Sequence, residues 1–134
     1  MKPILSISDY TTLRELIKHL PPQQRTKEII PLLEELDKAT IVEDLTLDAD
    51  IIRINSDVEV EEKISGRRFR FTLVIPSRAD IQSNRISVLA PMGIALIGFR
   101  EGNEIEWNMP SGVKQLRIIR VGYELVKSKA SRPV

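Results

Sequence analysis

The chain has no cysteine in its 134 residues. Disulfides, thiolate nucleophiles and the usual structural zinc sites are thereby excluded together, and with no sign of an oxidising compartment the expected location is cytoplasmic. Histidine occurs once, as His19. A single imidazole has no second histidine with which to share a metal, so a solvated place at a helix end is the expected role. Long apolar runs are also missing: the opening Met1-Lys2-Pro3-Ile4-Leu5 turns polar at Ser6 and Ser8, and neither a signal peptide nor a membrane span is expected. Strong charge of one sign is missing too. Residues 1–55 carry 10 acids and 7 bases and residues 56–134 carry 9 and 13, for a net charge of +1. That asymmetry falls short of the basic patch of a dedicated nucleic-acid binder, so strong direct nucleic-acid binding is not expected.

The motifs of chemistry are absent as well. No serine lies in a Gly-x-Ser-x-Gly elbow, and a Ser/His/Asp triad would need His19 to reach the far half of the chain. Gly93, Gly98 and Gly102 lack the Lys-Ser/Thr of a phosphate loop and read as turns and close packing. Glu34-Glu35 and Glu61-Glu62 are adjacent, so on a helix or strand their carboxylates diverge. Glu43, Asp44, Asp48 and Asp50 lack the ligand spacing and glycine of a calcium loop. No enzyme activity, cofactor or metal is expected.

What is present is an ordinary globular composition, 42% hydrophobic and 29% charged, with room for one main core and an appendage. Leu13, Ile17 and Leu20 follow Ser8, Asp9 and Tyr10 at helical spacing, predicting a helix over Ser8–His19 with Ser8 as N-cap. Pro21-Pro22 ends it. Ile29, Ile30, Leu33 and Leu36 oppose Glu34, Glu35, Asp37 and Lys38 on a second helix ending near Ala39. Pro31 must lie in the first turn of a late-starting helix or kink an early one. The two helices predict an antiparallel hairpin over residues 1–42, followed by an acidic linker over 43–52 that is a candidate hinge.

From residue 53 the period changes to two. Val58, Val60 and Ile64, then Phe69, Phe71, Leu73 and Ile75, flank Ser65-Gly66 as a β-hairpin. The alternation in Arg67-Arg68-Phe69-Arg70-Phe71 is that of a half-buried strand rather than a base-stacking surface. Ile86-Ser87-Val88-Leu89 predicts a short strand, and Met92 to Ile97 a helix with Pro91 at its first position, stopped by Gly98. Ile105, Trp107 and Met109, a Pro110-Ser111-Gly112 turn, then Leu116, Ile118, Ile119, Val121 and Tyr123 form a closing hairpin. The fold class is therefore α+β: a helical hairpin, then an antiparallel sheet with one short helix over 53–126, and a frayed tail over 127–134.

The run Ile86-Ser87-Val88-Leu89-Ala90-Pro91-Met92-Gly93-Ile94-Ala95-Leu96-Ile97-Gly98, with Gly102-Asn103-Glu104-Ile105 and Met109-Pro110-Ser111-Gly112-Val113, resembles the signature of the Gre-factor C-terminal domain. Glu35-Leu36-Asp37-Lys38-Ala39, Ile54-Asn55-Ser56 and Leu73-Val74-Ile75-Pro76 resemble its Rnk branch, the regulators of nucleoside diphosphate kinase, so the likeness runs from about residue 7 to residue 125. Asn103 replaces the usual acid and Ser111 the usual first hairpin glycine.

The resemblance implies an FKBP-like sheet domain that docks on RNA polymerase. The contact would be a coiled coil of the large subunit at the rim of the secondary channel, met by the loop of Ser87, Leu89, Ala90, Pro91 and Met92. Pro91 is both a helix-starting proline and the residue expected to make the contact. Cleavage-stimulating relatives carry acids at the tip of a long coiled coil; here the tip reads His19-Leu20-Pro21-Pro22-Gln23-Gln24-Arg25, without a carboxylate. Its first helix spans about 18 Å. The expectation is a monomeric regulator that occupies the Gre docking site without stimulating cleavage. Two alternatives stand beside it. One is a regulator acting on another enzyme such as nucleoside diphosphate kinase. The other is an FKBP-like prolyl isomerase, disfavoured because the second half offers only Phe69, Phe71, Phe99, Trp107 and Tyr123 for an aromatic pocket.

Overall fold

The computed structural model describes residues 2–24, 29–109 and 111–123. The expected tail over 127–134 and the tip residue Arg25 lie outside them, as does Pro110 of the closing turn.

A short strand, β1 (Ile4–Ser6), leads directly into α1 (Ile7–Lys18). The N-cap is Ser6, whose hydroxyl accepts from the Asp9 amide, and not Ser8 as the sequence pattern suggested. Ser8 is drawn away because both its amide and its hydroxyl donate to the Asp44 carboxylate. α2 spans Ile29–Lys38. Pro31 is its third residue, inside the first turn, where a missing amide costs no helical hydrogen bond. β2 (Thr40–Val42) then returns to pair with β1 in parallel, Leu5 opposite Ile41. The helical pattern gave no hint of this two-stranded sheet, because three residues are too few to display an alternation.

The main sheet has the order β5-β4-β3-β7-β6, formed by β3 (Ser56–Glu62), β4 (Arg68–Val74), β5 (Arg85–Ser87), β6 (Glu104–Met109) and β7 (Gly112–Tyr123). β3 and β4 are the expected hairpin, with Gly66 at φ 74° in its turn and the Glu62 carboxylate accepting from Ile64, Ser65 and the Ser65 hydroxyl. β5 pairs with β4 in parallel, so the expectation of a wholly antiparallel sheet is corrected. The chain runs back along the sheet through 3-10 turns at Pro76–Arg78 and Ile81–Ser83 before β5 begins, and that return reverses the strand's direction relative to a simple hairpin. The consecutive Ile118-Ile119 also has a structural cause. Between Glu59 and Val60 the register with β7 shifts by one residue, a bulge that lets Leu116, Ile118 and Val121 all turn towards the core.

α3 (Pro91–Leu96) lies against both edge strands, β5 and β6. In a flat five-stranded sheet those edges would stand about 19 Å apart, too far for one helix about 10 Å across, so the sheet curls around α3. Its concave face buries Val58, Val60, Phe71, Leu73, Leu116 and Ile118, and the same core takes in Leu5, Leu13, Ile17, Leu32 and Leu36 from the helical unit. On the convex face Glu59 stands between Arg70 and Arg120 and Glu61 between Arg68 and Arg117, giving alternating columns of charge, while Asp57 lies opposite Thr72 and Gly122.

Candidate docking loop and groove

Strand β5 ends at Ser87, and the next residues turn sharply into α3. The Ser87 hydroxyl accepts from the Leu89 amide at 3.0 Å and its carbonyl from the Ala90 amide at 3.0 Å. Val88 is wholly buried and donates to Val74 at 2.8 Å, which anchors the turn to the sheet. Ala90 is the N-cap in extended conformation, and Pro91 follows at the first helical position with its side chain exposed. Its fixed φ suits that position and rigidifies the loop. Met92, next along, is buried, so of the five residues singled out from sequence Pro91 faces solvent most openly while Met92 faces the core.

The helix can approach this turn only because residue 93 is glycine. A Cβ there would stand 2.4 Å from the Ser87 carbonyl oxygen, 2.9 Å from the Val88 Cα and 3.1 Å from a Leu73 methyl. At the other end Gly98, at φ 86°, lets the chain turn back, its carbonyl accepting from Ile4 and its amide donating to Ile52. Asn103 replaces the expected acid without loss of the turn. Its side-chain oxygen accepts from the Arg100 amide at 2.9 Å, and an aspartate would use the same atom.

Beside the loop opens a groove of about 680 Å³, lined by Ser87, Ala90, Pro91 and Met92 on one side and by Phe69, Phe71, Ile81, Ile86 and Trp107 on the others. It is the unfilled end of the curled sheet's concave face. The indole N–H of Trp107 is buried there with no acceptor among the described residues. Ile81, 86% exposed, stands at its margin. The groove was not legible from the sequence, because Trp107 and Ile86 come from opposite edges of the sheet and only its curl brings them together.

The tip residues do not join this site. His19 pairs with Glu15 on its own helix at 3.3 Å, and Pro22–Gln24 form a 3-10 turn. His19, Pro21, Pro22 and Gln23 are exposed and Leu20 is partly buried against the core. Three aspartates of the 43–52 segment are engaged with their surroundings: Asp44 with Ser8, and Asp48 and Asp50 with Arg100. Among the described residues no group of three or more histidines, acids or cysteines is arranged to hold a metal, and no helix is long and apolar enough to cross a membrane.

Residues 47–123 match the family described as transcription elongation factor, GreA/GreB, C-terminal. The chain belongs to this family. Its relatives include the regulator of nucleoside diphosphate kinase of Escherichia coli strain K12, 29% identical over 125 residues that make up 92% of each chain. Transcription elongation factor GreA of Clostridium acetobutylicum is 30% identical over 122 residues, 90% of this chain and 77% of that one. A solved GreA/GreB factor from Nitrosomonas europaea is similar with a TM-score of 0.75 at 34% identity, covering 92% of this chain and 99% of its own. These relatives are regulators and elongation factors by name, and the GreA/GreB match includes the loop, the groove and the Asn103 turn.

Proposed function

We propose that this protein is a non-catalytic, cytoplasmic transcription regulator that binds RNA polymerase at the secondary-channel rim. The loop of Ser87, Leu89, Ala90, Pro91 and Met92 docks against a coiled coil of the large subunit, with the adjoining groove receiving an apolar side chain of that partner. The observation that carries this reading is the exposed, conformationally fixed Pro91 at the lip of an apolar groove, in a chain of the GreA/GreB family. A rigid edge loses little freedom on binding.

In this reading the chain divides as 1–42, 43–52, 53–126 and 127–134, with an FKBP-like sheet domain and a short antiparallel helical hairpin. The parallel pairing of β1 with β2 brings the start of α1 beside the end of α2, which supports the antiparallel arrangement, and an ion pair between Arg14 and Asp37 joins the two helices. The tip, His19 to Arg25, donates no carboxylate to the polymerase site, so the protein occupies the Gre position without stimulating cleavage and competes as a monomer with factors that do. The test is competition for core RNA polymerase against a labelled cleavage-type Gre factor, with Pro91→Asp as control. Saturable displacement lost in the variant supports the reading, and absence of binding at micromolar concentration refutes it.

A second reading draws on the similarity to the regulator of nucleoside diphosphate kinase across 92% of both chains. It makes the same surface a docking site for that kinase. Co-purification with the kinase and not with polymerase would favour it.

A further inference from the structure

The acidic segment after β2 has the composition of a flexible tether, yet its contacts are those of a fastening. At the root of α1 the buried Asp9 carboxylate accepts the Ile54 amide at 3.0 Å, across 45 residues of sequence, two residues before β3 begins. At the preceding residue Asp44 accepts both the amide and the hydroxyl of Ser8. Across the same root, the Ile4 amide donates to the Gly98 carbonyl at 2.9 Å and the Thr40 amide to the Pro3 carbonyl at 3.0 Å. A Cβ on Gly98 would come within 2.6 Å of the Pro3 Cβ, so β1 is seated directly on the turn that ends α3. The helical unit is thus held at its base on two sides, by carboxylates on one and by backbone on the other.

We infer that the α1–α2 unit and the sheet domain form one rigid piece. The separation between the tip at residues 19–24 and the loop at residues 87–92 is set by a lock made of Asp9, Asp44 and the Gly98–Ile4 contact. The residues near 43–52 act as a strap that closes this lock, not as a hinge. A rotation of the helical unit about its base must expose the Asp9 carboxylate and the Ile54 amide together, and a buried amide or carboxylate stripped of its partner is costly. Residues of both bodies also share one apolar core, which such a rotation would have to open. If the loop docks as proposed above, the tip is delivered at a fixed height and angle. The geometry itself does not depend on that reading, and the test needs no partner.

The absence of native cysteine makes the measurement direct. Spin labels on Gln23→Cys and Gln82→Cys, both exposed positions, report the separation of the tip from the groove margin beside the loop in the free protein by pulsed electron resonance. The lock predicts a single narrow distance distribution, which broadens or splits when Asp9→Ala and Asp44→Ala are introduced together. A broad or divided distribution in the labelled parent overturns the inference. So does a narrow, unshifted one in a double variant that still melts cooperatively. Amide hydrogen exchange in the unmutated protein gives a second arm that survives misfolding of the variant. Ile54 and Ser8 should exchange as slowly as β3 and β7, and exchange at loop rates overturns the lock.

Discussion

Gly93→Ala sets two effects of opposite sign against each other at the proposed docking loop. Alanine is the better helix former by at most about 1 kcal/mol, so α3 taken alone favours the change. The tertiary contact opposes it. The new Cβ would lie 2.4 Å from the Ser87 carbonyl oxygen and 2.9 Å from the Val88 Cα. Carbon and oxygen in ordinary weak contact stay about 3.3–3.6 Å apart, so α3 or the turn must retreat by roughly 1 Å. Neither obstacle is a flexible side-chain end. Retreat would also loosen Met92 and Leu96, which are buried on the same helix. Overpacking of this kind costs about 1–3 kcal/mol, and the net expectation is a loss of about 1–2 kcal/mol. For a chain of this size the melting temperature should fall by roughly 3–8 °C. Urea denaturation followed by circular dichroism would show a lower midpoint at unchanged slope, and the proposed polymerase binding should weaken with it because Ser87 and Val88 are the residues displaced. A midpoint equal to or above that of the parent would refute the reasoning, since helix propensity would then outweigh the contact.

Gly98→Ala should be more damaging than Gly102→Ala: both have positive φ, but a Cβ at 98 meets Pro3 and Ile4 whereas one at 102 meets nothing within 4 Å, a difference that paired thermal melts would reveal. The backbone strain common to both is about 1–3 kcal/mol. Asn103→Asp should leave the melting temperature nearly unchanged, while Asn103→Ala should lower stability by about 1 kcal/mol through loss of the acceptor for the Arg100 amide. Burial raises the Asp9 carboxyl above its ordinary value of 3.8, with the Ile54 amide and Arg53 only partly offsetting it. The folded state therefore holds that proton more tightly than the unfolded one, and the stability owed to Asp9 is greatest in acid and declines as pH rises from 3.8 through the raised value. Asp44, lowered by its bonds from Ser8, acts in the opposite sense: its contribution is present above 3.8 and is lost as pH falls through the depressed value. Denaturation across this range should show Asp9→Asn removing the first trend and Asp44→Asn the second, and identical profiles for both variants would contradict the assignment.

The helices, the β3–β4 hairpin and Pro91 at the head of α3 were legible in the sequence because each is written within a few residues. The periods of 3.6 and two, a glycine at a turn and a proline at a first helical position are local statements about backbone and burial. The tip follows from the same local signals, whereas the loop was named through the Gre resemblance. The N-cap was misplaced by two residues, and the reason is instructive. Ser6 and Ser8 are equally good local candidates, and Asp44, 36 residues away from Ser8, decided between them.

By itself the sequence determined the α+β class, the absence of metal-binding and nucleophilic motifs, and a Gre-type signature over its second half. The tertiary structure alone decided the rest. The parallel pairings of β1 with β2 and of β4 with β5, the bulge at Ile119, and the groove between Pro91 and Trp107 all depend on strands distant in sequence. The fastening of the acidic segment to α1 belongs with them, because an exposed aspartate and a capping aspartate look identical until the chain brings a serine to one of them. Local patterns record which face of an element is apolar; which element that face meets is set by the packing of the whole core, and no short window of sequence contains it.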